Sequence, residues 1–137
     1  MKYIIFSMLI VFPFLLQSQE MGRVEVLDAN AFEVKIQHIK GALLDVRTPE
    51  EYSAGHLEGA KNIDWNAVGF KSEVIKFPLH EPVFVYCAGG FRSDEAASWL
   101  QKEGFRTIIV LKDGYDHWKE TGKKVVIPVK EAKPVDK

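Results

Sequence analysis

The chain is poor in cysteine and in clustered metal ligands. Cys87 is the only cysteine among 137 residues, which excludes an intrachain disulfide. The four histidines, His38, His56, His80 and His117, are scattered and lack the spacing of metal ligands. We therefore expect no metal and no cofactor. The lone cysteine is either an inert, packed thiol or a reactive one.

An excess of charge of either sign is also lacking. The chain has 18 Lys and Arg against 19 Asp and Glu, a net charge of −1, with no block of like charges. This balance gives no indication of nucleic-acid binding or of a basic surface for acidic lipids. With 47% hydrophobic and 27% charged residues, the length and composition are typical of one soluble globular domain.

The longest hydrophobic run lies at the N-terminus and is short for a membrane span. Residues 3–16 follow Lys2 and are apolar except for Ser7 and Pro13, whereas a spanning helix needs about 20 such residues. The run predicts a signal peptide over residues 1–19 and hence an exported protein, periplasmic or secreted. We expect no stable membrane insertion after cleavage. Because bulky residues precede the cleavage region, an uncleaved N-terminal membrane anchor is the alternative.

Hydrophobic patterning divides the rest of the chain into alternating strands and helices. Strands are predicted at 23–27, 42–46, a short stretch ending near 63, 83–86 and 107–111, with a further strand at 125–127. Helices are predicted at 31–38, a short stretch after 48, 66–77, 93–102 and 115–121. This alternation predicts an α/β fold with a central, mostly parallel five-stranded sheet flanked by helices. Residues 128–137 are predicted to be a flexible polar tail.

Local capping signals support two of these helices. Asp28 or Asn30 is a candidate N-cap for the first helix. Thr48 suits the N-cap of the second, Pro49 its first position and Glu51 its third position, which together form a capping box.

The apolar strand at 83–86 leads directly into Cys87, and this junction is the main candidate site. In open parallel sheets, ligands bind at the carboxyl ends of strands. Ser93 is predicted to open a helix, whose N-terminal amides and dipole would point towards the sulfur. A thiolate placed there is stabilised and reactive, so Cys87 is a candidate nucleophile.

The residues between Cys87 and the predicted helix would surround this thiolate and stabilise it. The amides from Ala88 to Ser93 can converge as an anion-binding nest. Gly89 and Gly90 are expected to supply the positive φ angles that such a tight loop requires. Arg92 adds a fixed positive charge. Asp94 and Glu95 follow in the first turn and are expected to point outward, because inward they would oppose a thiolate.

Three ordered segments of the chain resemble a known family. Leu44-Asp45-Val46-Arg47-Thr48-Pro49-Glu50-Glu51-Tyr52, with Gly55-His56-Leu57-Glu58-Gly59-Ala60, is similar to the N-terminal signature of single-domain rhodaneses. Cys87-x-x-Gly90-x-Arg92-Ser93 resembles their active-site loop, and Asp113-Gly114 with Trp118 and Gly122 resembles their C-terminal signature. The resemblance covers residues 24–127, the predicted domain. The family usually has Pro at position 58 and Gly at position 113, where this chain has Glu and Asp.

The resemblance implies a sulfurtransferase. Such an enzyme takes a sulfane sulfur from thiosulfate or a persulfide onto Cys87 and passes it to a thiol or to cyanide. The implied partners are small sulfur-containing anions, thiol acceptors and a sulfur-relay protein. The alternative is a non-catalytic persulfide carrier or a redox-sensing module that works with a partner protein.

Loop length favours sulfur over phosphate chemistry. Arg92 lies five positions after Cys87, whereas the resemblance implies six positions in phosphatases of related fold. A second cysteine for reductase chemistry is missing. Two roles for Arg92 stay open, binding an anionic donor or bracing the loop.

Residues outside the loop are expected to support it. By resemblance, Asp45 and Arg47 brace the active-site side of the domain, with Arg47 paired to an acid such as Glu51. His56 is expected to make a structural hydrogen bond rather than to act in catalysis. The aromatic residues expected at the edge of the pocket are Trp65, Phe91 and Trp118, of which Phe91 is the one expected to meet substrate.

Overall fold

The structure is a computed structural model that describes residues 21–129. The predicted signal peptide and residues 130–137 of the predicted tail lie outside the described residues. The strands are β1 (Arg23–Leu27), β2 (Ala42–Asp45), β3 (Lys61–Asn62), β4 (Val83–Tyr86) and β5 (Thr107–Leu111). The helices are α1 (Ala29–His38), α2 (Pro49–Ala54), α3 (Phe70–Val74), α4 (Phe91–Lys102) and α5 (Gly114–Glu120).

The five strands form one sheet in the order β1-β5-β4-β2-β3, and every pairing is parallel. This confirms the predicted α/β fold with a five-stranded parallel sheet flanked by helices. All four residues of the central strand β4 are buried, as expected for a strand covered by helices on both faces. The carboxyl ends of β2 and β4 are neighbours, since Asp45 pairs with Tyr86.

The sheet separates two hydrophobic clusters, and successive residues of β4 face opposite ones. Val85 and Cys87 belong to the cluster that includes residues of α3 and α4. Tyr86 belongs to the cluster that includes Phe32 of α1 and Trp118 of α5. Because side chains alternate across a sheet, Cys87 and Tyr86 serve different sides of the molecule.

Local capping forms as predicted. The Asp28 carboxylate accepts a hydrogen bond from the Ala31 amide at 2.9 Å. Thr48 and Glu51 form the reciprocal capping box at the start of α2. No helix of residues 21–129 combines the length and apolar character needed to cross a membrane.

Two predicted elements are shorter than expected. The helix predicted at 66–77 is reduced to α3, and Val68 is fully exposed. The Asp64 carboxylate accepts a hydrogen bond from the Asn66 amide at 2.9 Å, a turn that competes with helix formation. The predicted strand at 125–127 is a single antiparallel bridge between Val126 and His56, because residues 55–57 form a connection and not a strand.

Candidate functional site

Cys87 lies immediately after β4, and the residue is 1% exposed. The Gly90 amide donates a hydrogen bond to Cys87 Sγ at 3.1 Å. Ser93 Oγ lies 3.4 Å from the same sulfur and donates to the Gly90 carbonyl at 2.8 Å. The sulfur therefore lies among a backbone amide, a hydroxyl group and the start of α4, an environment that suits an anionic sulfur.

The helix after Cys87 begins two residues earlier than predicted, at Phe91 rather than Ser93. Gly90 is its N-cap at φ 105°, a conformation that favours glycine. Ser93 thus lies in the first helical turn, which brings its hydroxyl back over the loop. Gly89 is exposed and is not among the residues with positive φ, so the expectation that both glycines need this conformation is wrong for Gly89.

The loop rests on the first residues of α5, the helix that the sequence predicted at 115–121. The Tyr115 amide donates to the Cys87 carbonyl at 2.8 Å, and the Asp116 amide donates to the Ala88 carbonyl at 3.1 Å. A Cβ on Gly114 would lie 2.5 Å or less from both carbonyl oxygens. No sequence signal indicated that Asp113-Gly114 and the start of α5 support the Cys87 loop.

Arg92 braces the loop against α2. Its guanidinium donates to both carboxylate oxygens of Glu51, at 2.8 and 2.9 Å. The same carboxylate accepts from the Thr48 amide at 2.9 Å. The hydrogen bonds from Arg92, followed by that from Thr48, lower the pKa of Glu51 to about 2 against the opposing effect of burial. Of the two roles left open for Arg92, the geometry shows the brace.

Asp45 and Arg47 form a buried ion pair on the other face of the sheet from the sulfur. Arg47 donates to Asp45 at 2.7 Å and to the Gly55 carbonyl at 2.7 Å. The Tyr86 hydroxyl donates to Asp45 at 2.6 Å, and Arg47 lies 4.0 Å above the Tyr115 ring. The expected pairing of Arg47 with Glu51 is therefore wrong, because Glu51 pairs with Arg92 and Asp45 is adjacent to Arg47 at the strand end.

Burial and the neighbouring Asp45 carboxylate raise the pKa of Tyr86. The phenol therefore stays protonated and keeps donating to Asp45 across the physiological range. Tyr86 also accepts a hydrogen bond from the Leu57 amide at 3.1 Å. This network fixes the connections that follow β2 and α2. The sequence predicted supporting roles for Asp45 and Arg47 but gave no signal for Tyr86.

Two of the three aromatic residues expected at the pocket edge lie on the side of the Cys87 loop. Phe91 is 74% exposed at the start of α4. Trp65 packs against the cluster that contains Cys87 and donates its indole N–H to Glu95 at 3.1 Å. Trp118 lies in the opposite cluster, where its ring centroid is 6.2 Å from that of Phe32. Its assignment to the edge of the pocket is therefore wrong.

His56 occupies a structural position. Its Nδ1 lies 3.1 Å from the Tyr52 carbonyl oxygen, and its ring stacks on that of Tyr52 at 3.8 Å. Within residues 21–129, no group of three His, Cys, Asp or Glu is arranged to hold a metal. An open groove of about 580 Å³ runs along α1, but no residue of the Cys87 loop lines it.

Comparison with known proteins identifies the family. The model of the rhodanese-like domain matches residues 24–121. The uncharacterized protein YqhL of Bacillus subtilis is 36% identical over 86 residues, which cover 63% of this chain and 67% of YqhL. The thiosulfate sulfurtransferase GlpE of Pseudomonas entomophila is 32% identical over 79 residues, 58% of this chain and 71% of GlpE.

Solved structures agree, and one further relative shows that the domain also occurs within larger proteins. A rhodanese-related protein from Thermoplasma volcanium superposes with a TM-score of 0.68 at 26% identity, over 76% of this chain and 99% of that one. The tRNA uridine(34) hydroxylase of Wigglesworthia glossinidia brevipalpis is 29% identical over 110 residues, 76% of this chain but 34% of that protein. Because the family model matches well over half of its length, the chain belongs to the rhodanese-like family.

Proposed function

We propose that the protein is a sulfurtransferase that carries sulfur as a persulfide on Cys87. The observation that carries this proposal is the position of Cys87 Sγ at the carboxyl end of β4, 3.1 Å from the Gly90 amide, in a loop with Arg92 as its sixth residue. Membership of the rhodanese-like family and similarity to GlpE, a thiosulfate sulfurtransferase, support it.

The proposed reaction has two displacement steps. The Cys87 thiolate attacks the sulfane sulfur of a donor, an S–S bond to Cys87 forms, and the donor fragment leaves with the electron pair of the broken bond. An acceptor thiolate then attacks the outer sulfur, forms its own persulfide and releases the Cys87 thiolate. With cyanide as acceptor the product is thiocyanate. The Gly90 amide and the Ser93 hydroxyl stabilise the sulfur anion in both steps.

The proposal is tested by incubating the protein with thiosulfate and, separately, with a small hydropersulfide. We expect Cys87 to gain the mass of one sulfur atom and cyanide to remove it as thiocyanate. The variant Cys87→Ser is the control. If wild type neither gains the sulfur nor produces thiocyanate faster than Cys87→Ser, the sulfurtransferase proposal fails.

A second candidate is a carrier or sensing module that exchanges sulfur only with one partner protein. The 1% exposure of Cys87 favours it, since a buried sulfur restricts the donors that can reach it. This candidate predicts a persulfide on Cys87 in the purified protein but no multiple turnover with small donors. Sustained thiocyanate production would exclude it.

We also propose that the protein is exported, on the support of the apolar run at 3–16 behind Lys2. The test is the mass and location of the protein in its native cells. A periplasmic or secreted product that lacks about the first 19 residues is expected. A full-length product in the membrane fraction would support the anchor, and a full-length product in the cytoplasm would reject both.

A further inference from the structure

The Cys87 loop offers little free positive charge to a small anion. Arg92 is the only charged residue among residues 87–92. Its guanidinium makes two hydrogen bonds to Glu51, and its side chain is only 22% exposed. A paired and largely covered guanidinium attracts a dianion such as thiosulfate much less than a free one does.

The surface beside the loop carries unpaired negative charge. Asp94 and Glu95 are exposed in the first turns of α4, directly after the loop. Asp64 precedes Trp65, whose indole N–H donates to Glu95, so Asp64 and Glu95 lie beside the same edge of the site. Among the described residues, none of these three carboxylates has a cation within 4.0 Å.

The same edge exposes a large apolar side chain. Phe91 is 74% exposed although it belongs to the nucleophile loop. Phe91 and Glu95 are four residues apart in α4 and therefore lie on one face of that helix. An exposed aromatic ring with carboxylates on one side is complementary to a partner that is apolar at its centre and basic at its rim.

We infer that this edge, formed by Phe91, Asp94 and Glu95, docks a basic, cysteine-bearing segment of a partner protein that exchanges sulfur with Cys87. The inference rests on the proposed sulfur transfer and names its donor or acceptor class. In the donor direction, the Cys87 thiolate attacks the outer sulfur of the partner's persulfide, and the partner's thiolate leaves with the electron pair. The return step moves sulfur from Cys87 to the partner's thiolate by the same displacement.

The test uses two synthetic peptides, each with one cysteine persulfide, that differ only in whether lysine or glutamate residues flank the cysteine. The measured quantity is the ratio of the second-order rate constants, basic over acidic peptide, for sulfur loading onto Cys87 at about 0.1 M salt. A ratio cancels any general effect of a substitution on the chemistry. We expect a ratio of about ten or more for wild type, because electrostatic steering raises association rates by roughly 10- to 1,000-fold.

Charge-neutral variants locate the effect. In Asp94→Asn/Glu95→Gln the ratio should fall to about threefold or less, and the Gln amide oxygen can still accept from the Trp65 indole. Glu103→Gln is the matched control, because Glu103 caps the opposite end of α4, about 12 Å further along the helix than Glu95. It should leave the ratio unchanged. At about 1 M salt the wild-type preference should also disappear.

The apolar contact is tested with Phe91→Ala. This variant should lower the peptide rate relative to the rate with a small hydropersulfide by about fivefold or more, since an aromatic contact contributes roughly 1 kcal/mol. Lys112 follows the carboxyl end of β5, the strand beside β4, and is an exposed cation that could recruit anions instead. Lys112→Met should change the acidic-peptide rate by less than about twofold.

Three outcomes would overturn the docking inference. They are a wild-type ratio of one or less, a ratio that Asp94→Asn/Glu95→Gln does not lower, and a tenfold loss of acidic-peptide rate in Lys112→Met. Each leaves the sulfurtransferase proposal standing, because loading of Cys87 would still be observed. If no donor loads sulfur onto Cys87 in wild type, the proposed function itself fails.

Discussion

Arg92 in the Cys87 loop and Glu51 in α2 share two hydrogen bonds, of 2.8 and 2.9 Å, across 41 positions of the chain. The Glu51 carboxylate also closes the capping box of α2 through the Thr48 amide. One carboxylate thus joins the start of a helix to the loop that holds Cys87. Loss of this carboxylate should affect both helix stability and loop position.

The variant Glu51→Gln should therefore be less stable than wild type at neutral pH. The pKa of Glu51 is lowered from 4.5 to about 2. With its partial solvent exposure taken into account, we expect a loss of about 1 kcal/mol in the free energy of unfolding. A folded-state pKa below the unfolded value means that this stabilisation is complete above pH 4.5 and is lost as pH falls towards 2.

Urea denaturation of wild type and Glu51→Gln from pH 7 down to pH 3 measures this effect. The difference between the two proteins should be constant above about pH 5 and shrink below pH 4.5. Glu50→Gln is the control, because Glu50 is the exposed neighbour in the same turn of α2. A difference that persists unchanged at pH 3 would show that the carboxylate charge is not what stabilises the loop.

The Ser93 hydroxyl has one proton, which it donates to the Gly90 carbonyl while its oxygen lies 3.4 Å from Cys87 Sγ. When the sulfur is an anion, rotation of the hydroxyl can redirect that proton to it. Ser93→Ala should lower the rate of persulfide formation about tenfold, the effect of one hydrogen bond to a charged group. Ser98→Ala is the control, because the Ser98 hydroxyl donates to the Asp94 carbonyl on the exposed side of the same helix. Equal rates of persulfide formation in Ser93→Ala and Ser98→Ala would show that the Ser93 hydroxyl does not act on the sulfur.

Gly114 lets the start of α5 pack closely against the Cys87 loop because it has no side chain. Gly114→Ala would place a Cβ within 2.5 Å of the Cys87 and Ala88 carbonyl oxygens, at a φ of 66°. We expect a loss of about 3 kcal/mol or more in unfolding free energy, together with slower sulfur loading. Gly59→Ala is the matched control, with φ 79° and nothing within 4 Å of the added Cβ. It should cost only the strain of the backbone, roughly 1 kcal/mol. Similar losses of unfolding free energy in Gly114→Ala and Gly59→Ala would contradict the proposed support of the Cys87 loop by Gly114.

The buried pair of Asp45 and Arg47 should show strong coupling. Arg47→Met leaves a fully buried carboxylate without its cation and should cost about 3–5 kcal/mol. In Asp45→Asn/Arg47→Met no unpaired charge remains, so the double variant should lose less than the sum of the two single variants. Urea denaturation of all four proteins gives the coupling energy. Additive losses would show that the two charges act independently.

Much of the site could be predicted from local sequence. The apolar strand before Cys87, the glycines after it and the spacing to Arg92 depend on chain neighbours, and so does the capping box at Thr48. The contacts of Arg92 could not be predicted in the same way. Arg47 is only four positions from Glu51 in the chain and Arg92 is 41 positions away, yet the arrangement of α2 beside the Cys87 loop pairs Glu51 with Arg92.

By itself, the sequence determined the alternation of strands and helices, the position of Cys87 directly after a strand and the short spacing to Arg92. These features follow from hydrophobic periodicity, capping and loop length, which act over a few residues. The tertiary structure alone decided which charges pair and what supports the loop. Parallel pairing of β2 with β4 brings Glu51 and Arg92, 41 positions apart, to one edge of the sheet, where the two side chains pair. Pairing of β4 with β5 places Gly114 against the Cys87 carbonyl.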